Sequence, residues 1–442
     1  MFGYYIRLAL RSLRRNAVLT ALMIAAIAVG IGASMTTLTV FRAMSGDPIP
    51  RKSHHLYTPQ IDNWGPIKPG EQTEDGQGAD GLSDQISYID AMALMNAHAA
   101  KRQSALYMAR LSLQPDDRRQ KPFKVPVRAA FSDFFPMFDV PFEFGNSWTA
   151  SDDEGRAAVA VLTYELNGRL FGGTNSVGKT IRLGGDIYRV VGVLAHWQPV
   201  PHFYDLHHVP FGESDQIFLP FNLAIDKHLT AIGSTSCKSQ TDTNWAALMQ
   251  SDCVWLQFWV ELPTAADAQK YRTFLNNYAA EQQRIGRFHW PAHTQLRDVV
   301  QWLAYRHVVP SEVNILLLVS FGFLLVCLLN AMGLMLAKIL GRAGDMGVRR
   351  ALGASRAAIF AQCLIETGVV GLTGGVFGLA LTGLGLLAAR SLLPNDFAAV
   401  THLDFTDVAI AVVLAVAATM VAGLYPTWRA SDVQPAWQLK AQ

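Results

Sequence analysis

Apolar positions along this chain of 442 residues are gathered near its two ends. The first run, residues 17–41, carries no charge, and as a helix rising ~1.5 Å per residue it is long enough to cross the ~30 Å of bilayer hydrocarbon. Three further runs, 313–337, 357–389 and 408–426, fill the C-terminal third, and only the one at 357–389 holds an acid, Glu366. The pattern predicts an integral membrane α-helical protein with four transmembrane helices and a large extracytoplasmic α+β domain inserted between the first and second spans. A cleaved signal peptide is the alternative for the first run. Its apolar stretch, however, exceeds the ~7–15 residues of a signal core, and a polar segment follows without a clear small-x-small site.

Between the first two spans the periodicities change repeatedly. Residues 83–101 read as a helix capped by Ser83 or Asp84, with Ile86, Ile89, Met92 and Ala93 on one face. Alternation at 106–113 and 124–130 predicts strands, 157–162 is a short buried strand, and 181–183 with 188–194 form a hairpin turning at Gly184, Gly185 and Asp186. An aromatic-rich strand follows at 254–262. A helix at 264–284 then carries Ala268, Tyr271, Phe274, Leu275 and Tyr278 on its apolar positions. Residues 294–307 read as a last helix running directly into the second span, which would link the outer domain mechanically to that span. At the other end, residues 1–16 place Phe2, Ile6, Ala9, Leu10 and Leu13 opposite arginines, an amphipathic helix suited to the membrane interface.

Charge sets the orientation. Arg7, Arg11, Arg14 and Arg15 precede the first span, and Lys338, Arg342, Arg349, Arg350 and Arg356 follow the second against a single Asp345, so both flanks belong in the cytoplasm. Both termini are then cytoplasmic and the large domain is outside. A net charge of +2 gives no reason to invoke nucleic acid. Cys237 and Cys253 fall in the exported part, where disulfides are permitted, and a bridge between them is predicted over two buried free thiols, whereas Cys327 and Cys363 lie inside spans.

Candidate chemistry is sparse. Residues 173–180, GTNSVGKT, satisfy the phosphate-loop pattern, but a helix-like stretch precedes them and a hairpin follows, the reverse of the strand-loop-helix order that aims backbone N–H groups at phosphate. His196, His202, His207 and His208, with Asp205 among them, fit no metal template and read as a connecting loop. No catalytic residue, cofactor site or metal site is predicted. Glu366 is costly inside a span and reads as an anchor within reach of Arg356, Arg349 or a partner helix. Ala26, Gly30 and Ser34 in the first span, and Gly371 with Gly375 and Gly374 with Gly378 in the third, offer small faces for packing inside the subunit or between two subunits.

Four stretches together resemble one family. DMGVRRALGASRAAIFAQCLIE (345–366) and GLYPTWRASDVQPAWQL (423–439) are similar to the cytoplasmic loop and closing motif of MacB/FtsX-type ABC transporter permeases. VGKTIRLGGDIYRVVGVL (177–194) is similar to the periplasmic core domain of the macrolide-exporter group, and IRLALRSLRRN near the N-terminus fits the same family. Asp345 and Met346 stand where the family has Glu and Ile, which preserves charge and apolarity. The resemblance implies the following division: cytoplasmic helix 1–16, first span 17–41, periplasmic core domain 42–310, FtsX-like permease region 311–431 and cytoplasmic tail 432–442. It also implies a bacterial inner-membrane permease that acts as a dimer with a second copy or paralogue, contacts lipid, and is driven by a cytoplasmic ABC ATPase dimer on a separate polypeptide that carries the ATP and Mg. Gly347, Arg349, Arg350, Ala351, Gly353 and Ala354 match the segment that couples to the ATPase. The expected role is mechanotransmission in export of a peptide, antibiotic or other amphiphile through a periplasmic adaptor and outer-membrane duct. An FtsX-like regulator of a periplasmic enzyme and a lipoprotein-releasing permease are the alternatives.

Overall fold

The computed structural model describes residues 16–65, 80, 82–115, 121–207, 210–212, 214–233, 235–238, 244–291, 293–342, 344, 348–350, 352–392 and 405–431. The amphipathic helix expected before the first span lies outside them but for Asn16, as do the tail 432–442, Gly347, Ala351 and His208. The chain divides into two compact units, one formed by Met1–Ser45 with Val309–Gln442 and the other by Gly46–Val308.

The first unit is helical. Its four long helices, Ala17–Ser45, Ser311–Leu340, Arg356–Leu392 and Phe405–Ser431, are each long and apolar enough to cross a membrane. Met23, Ile27, Ile31 and Met35 of the first helix, one per turn, form the centre of a shared apolar core with Leu324, Met335, Val370 and Ala415 from the other three.

The second unit is α+β. Its strands are β1 (Leu56–Ile61), β2 (Ile86–Ser87), β3 (Arg102–Gln114), β4 (Phe123–Ala130), β5 (Phe142–Gly145), β6 (Val159–Leu162), β7 (Thr180–Leu183), β8 (Asp186–Leu194), β9 (Ile217–Pro220), β10 (Val254–Glu261) and β11 (Thr294–Asp298). The main path runs β11-β1-β10-β3-β4-β9-β6-β8-β5. Because β7 pairs with both β3 and β8, the strands β3, β4, β9, β6, β8 and β7 also form a closed ring. Val125, Val127, Ile181, Tyr188, Val190 and Leu219 fill that ring. A second core, built on Tyr107, Trp255, Phe258 and Phe221, packs the sheet against Tyr271 and Leu275 of the helix Ala265–Arg284.

Local chemistry sets the element ends. Thr264 caps the helix Ala265–Arg284 by accepting from the Asp267 N–H, and the β7–β8 hairpin turns on Gly184 and Gly185, both at positive φ. Two expectations are corrected. The helix predicted from residue 83 begins at Tyr88, because Ile86 pairs with Leu256 in a short strand and Ser87, accepting from the Asp90 N–H, becomes the cap. Its buried positions are Asp90, Ala91 and Leu94. Residues 294–307 are not one helix either. TQLRD alternates with a period of two and pairs along β1 from Ile61↔Thr294 to Tyr57↔Asp298. Asp298 and Gln301 then form a capping box for a short helix, Val299–Tyr305. That helix stops before His307, at a φ of +47°, and Pro310 precedes the second span, so no continuous helix runs into it.

Candidate functional site

The third span has two small faces, and each meets a different helix. A Cβ added at Gly374 would stand 2.6 Å from Ile27 Cγ2, and one at Gly378 would stand 2.8 Å from Ile31 Cγ2, both on the first span. On the other face a Cβ at Gly371 would fall 1.9 Å from Thr419 Oγ1, and one at Gly375 would fall 2.8 Å from Ala415 Cβ, both on the fourth. In the first span Gly30 lies against Leu324 and Cys327 of the second, the Ser34 hydroxyl donates to the Ser320 carbonyl at 2.9 Å, and Ala26 is half-buried. These small residues therefore pack helices of one chain together.

Glu366 is buried on the third span. Its carboxylate pairs with Lys338 and lies 3.6 Å from Arg342, both at the end of the second span. Lys338 is itself buried and donates to the Thr20 hydroxyl of the first span at 3.4 Å, so one ionic cluster ties three helices. Of the expected partners, Arg356, Arg349 or a neighbouring helix, the last is found in the second span, and Arg349 donates to the Gln362 side chain at 2.9 Å. Lys338 and Arg342 were missed because a contact between helices leaves no spacing in the sequence.

Between these spans, residues 348–350 form a helical turn. Gly353, at a φ of +100°, donates to the Arg350 carbonyl at 3.1 Å, and Ala354 donates to that of Arg349 at 3.1 Å, closing the turn before the third span begins at Arg356. A left-handed φ of this kind suits glycine. Val348 and Leu352 are 60% and 83% exposed, so the turn presents apolar side chains beside its arginines.

In the second unit the described histidines of the histidine-rich stretch each have a side-chain partner. His196 bonds to Glu165 at 2.8 Å, His202 to Ser214 at 3.2 Å, and His207 to Asp84 at 3.1 Å. Asp84 also pairs with Arg306. Asp205 joins Asp215 in holding Arg128, at 2.5 and 3.0 Å, with the Tyr204 hydroxyl donating to Asp215 at 3.0 Å. Burial opposes the Arg128 charge, but the two carboxylates more than offset it and raise its pKa; burial and Asp215 push the Tyr204 phenol well above its ordinary value. Among the described residues no group of three or more His, Cys, Asp or Glu stands ready to hold a metal ion. A disulfide joins Cys237 and Cys253. The phosphate-loop look-alike runs from the end of the helix Tyr164–Phe171 into the β7–β8 hairpin, with no helix after it to receive phosphate.

Comparison with known proteins places these features. The family model for the MacB-like periplasmic core domain matches residues 20–275, and that for the FtsX-like permease C-terminal region matches 317–435. The macrolide export ATP-binding/permease protein MacB of Azoarcus sp. (strain BH72) is 24% identical over 441 residues, covering 99% of this chain and 59% of that protein. MacB of Syntrophobacter fumaroxidans (strain DSM 10017 / MPOB) is 24% identical over 465 residues, covering 97% and 62%. The chain thus spans about six tenths of the length of these curated relatives. Among solved structures, the periplasmic region of MacB from Actinobacillus actinomycetemcomitans aligns with 57% of this chain and 92% of its own at 13% identity and a TM-score of 0.36. The extracellular domain of the noncanonic ABC-type transporter YknZ from Gram-positive bacteria aligns with 48% and 90% at 13% identity and a TM-score of 0.32. With one family model covering more than half of the chain and a second covering its C-terminal spans, this multi-pass membrane protein with a large periplasmic domain belongs to the MacB/FtsX-type ABC transporter permeases.

Proposed function

We propose that the chain is a non-catalytic permease subunit that converts ATP hydrolysis on a separate cytoplasmic ATPase into movement of its periplasmic domain, driving export of a peptide, antibiotic or other amphiphile. One observation carries the reading: the matched periplasmic core domain and the matched permease region are joined through the first and second spans. In this reading a displacement of those two spans is passed to the domain they bracket. The energy source would act at the segment 347–354. There Arg349 and Arg350 offer charge to an acidic surface, while Val348 and Leu352 offer apolar area to a cleft. Coupling of this kind requires that the ATPase bind the turn differently in its two nucleotide states.

The experiment is charge reversal. Arg349→Glu with Arg350→Glu should abolish co-purification of the ATPase while the Cys237–Cys253 disulfide still forms, which reports a folded periplasmic domain. Retention of the ATPase by the double variant would overturn the assignment.

A further inference from the structure

Among the described residues, the outer wall of the ring formed by β3, β4, β9, β6, β8 and β7 is covered on one side and bare on another. Where β4 meets β9, the outward Arg128 is buried under the loop that supplies Tyr204, Asp205 and Asp215. Farther along the same surface the outward side chains of Lys124 on β4, Arg182 on β7, and Ile187 and Arg189 on β8 are exposed. The register sets them side by side. Ser112 lies opposite Lys124, Gln114 opposite Arg182, Arg182 opposite Ile187, and Thr180 opposite Arg189, and directly opposed residues share a face.

The charge of this wall is unlike that of the chain. The sequence as a whole has 37 Lys and Arg against 35 Asp and Glu, yet the outward positions just named hold cations, neutral polar residues and one isoleucine, with no acid among them. Of the described carboxylates at its border, Asp186 and Asp152 each have a hydrogen-bonding partner outside it. Asp186 pairs with Lys227 at 3.0 Å, and Asp152 bonds to the Thr149 hydroxyl at 2.8 Å, with Arg189 adding a smaller pull on its proton affinity. Ile187, 57% exposed, stands among the cations as the apolar exception.

We propose that this bare wall is a docking surface for an acidic segment of another extracytoplasmic protein, seated on Ile187 and paired with the surrounding guanidinium groups. The composition selects a protein over a lipid surface. Arginine outnumbers lysine there, and its planar fork pairs two-fold with carboxylates. An exposed aliphatic side chain among arginines is the arrangement of an interface anchor, and it gives a phosphate headgroup nothing to bind. Closure of the ring also fixes the mode of docking. β7 is paired on both sides, so the partner meets side chains on the wall and adds no strand to it. The proposal does not depend on whether the permease exports a substrate.

The test uses the full chain in phosphatidylcholine nanodiscs and a short fluorescein-labelled peptide of Glu and Leu, followed by anisotropy. The peptide should bind, with an affinity that falls as salt rises. Arg182→Glu with Arg189→Glu should weaken it about tenfold. Ile187→Ser should weaken it while leaving the salt dependence in place, and Lys270→Glu with Arg272→Glu, exposed on a different element, should change nothing. Three results would each overturn the proposal: no binding of the peptide, equal loss in the Lys270/Arg272 variant, or displacement of the peptide by phosphatidylglycerol vesicles as effectively as by unlabelled peptide, which would make the wall a lipid contact.

Discussion

Arg128 lies on the outward face of β4, and two carboxylates and a tyrosine enclose it. The cluster bonds the loop carrying Tyr204, Asp205 and Asp215 to β4. A buried ion pair adds little net stability over an apolar replacement, but removing one partner strands the other in a dry site, at about 3–5 kcal/mol. Arg128→Met should therefore lower the thermal stability of the periplasmic domain sharply, and adding Asp205→Asn with Asp215→Asn should restore much of it. A triple variant no more stable than the single would mean that the loop is held by its aromatic contacts. The sequence displayed Asp205 among histidines but not its partner, since Arg128 is 77 residues away. For Glu366 the sequence allowed a partner helix beside Arg349 and Arg356 but could not name Lys338 on it.

At the scale of elements, the third span is the piece on which the helical unit depends. Its glycines at 371 and 375 face the fourth helix, and those at 374 and 378 face the first. Association of helices in lipid relies on close van der Waals approach, so a side chain inserted on either face should separate a pair. Gly374→Leu should destabilise the four-helix unit by about 1–3 kcal/mol, the range for overpacked cores. Gly383→Ala, on the same helix with nothing within 4 Å of the added Cβ, should be neutral. Thermal unfolding of the two variants in the same detergent separates packing from helix propensity. The small-residue spacing was legible in the sequence; the assignment of each face to a particular neighbour was not, because four residues set a separation and leave the partner open. Strand order was harder still. β7 has four residues, and its pairing with β3 and β8 closes the ring without any mark beyond the hairpin itself.

At the scale of the whole molecule, hydropathy alone revealed four membrane-length helices and a large domain between the first two, since a span must carry its apolar residues consecutively. The break between the periplasmic domain and the second span was hidden, because TQLRD has the polar and apolar mixture of either a strand or a helix until β1 claims it. Since the chain forms two units, a perturbation in one can be tested for its reach into the other. The disulfide closes a loop with a sequence separation of 16, which in the chain-entropy view is worth about 3 kcal/mol. Cys237→Ser with Cys253→Ser should lower the melting of the periplasmic domain by that amount and leave the helical unit unchanged. Proteolysis of the full chain at graded temperatures, with fragments assigned to each unit, checks this.

That bond has a consequence for biogenesis as well. Thiols pair in oxidising compartments and stay reduced in the cytosol. A chain threaded into the membrane the wrong way round would keep Cys237 and Cys253 as free thiols. Their oxidation state therefore records, in every molecule, which way round it was inserted: a thiol-reactive tag on unfolded protein adds two labels to a correctly inserted copy, at Cys327 and Cys363, and four to a misinserted one, a difference that intact mass resolves.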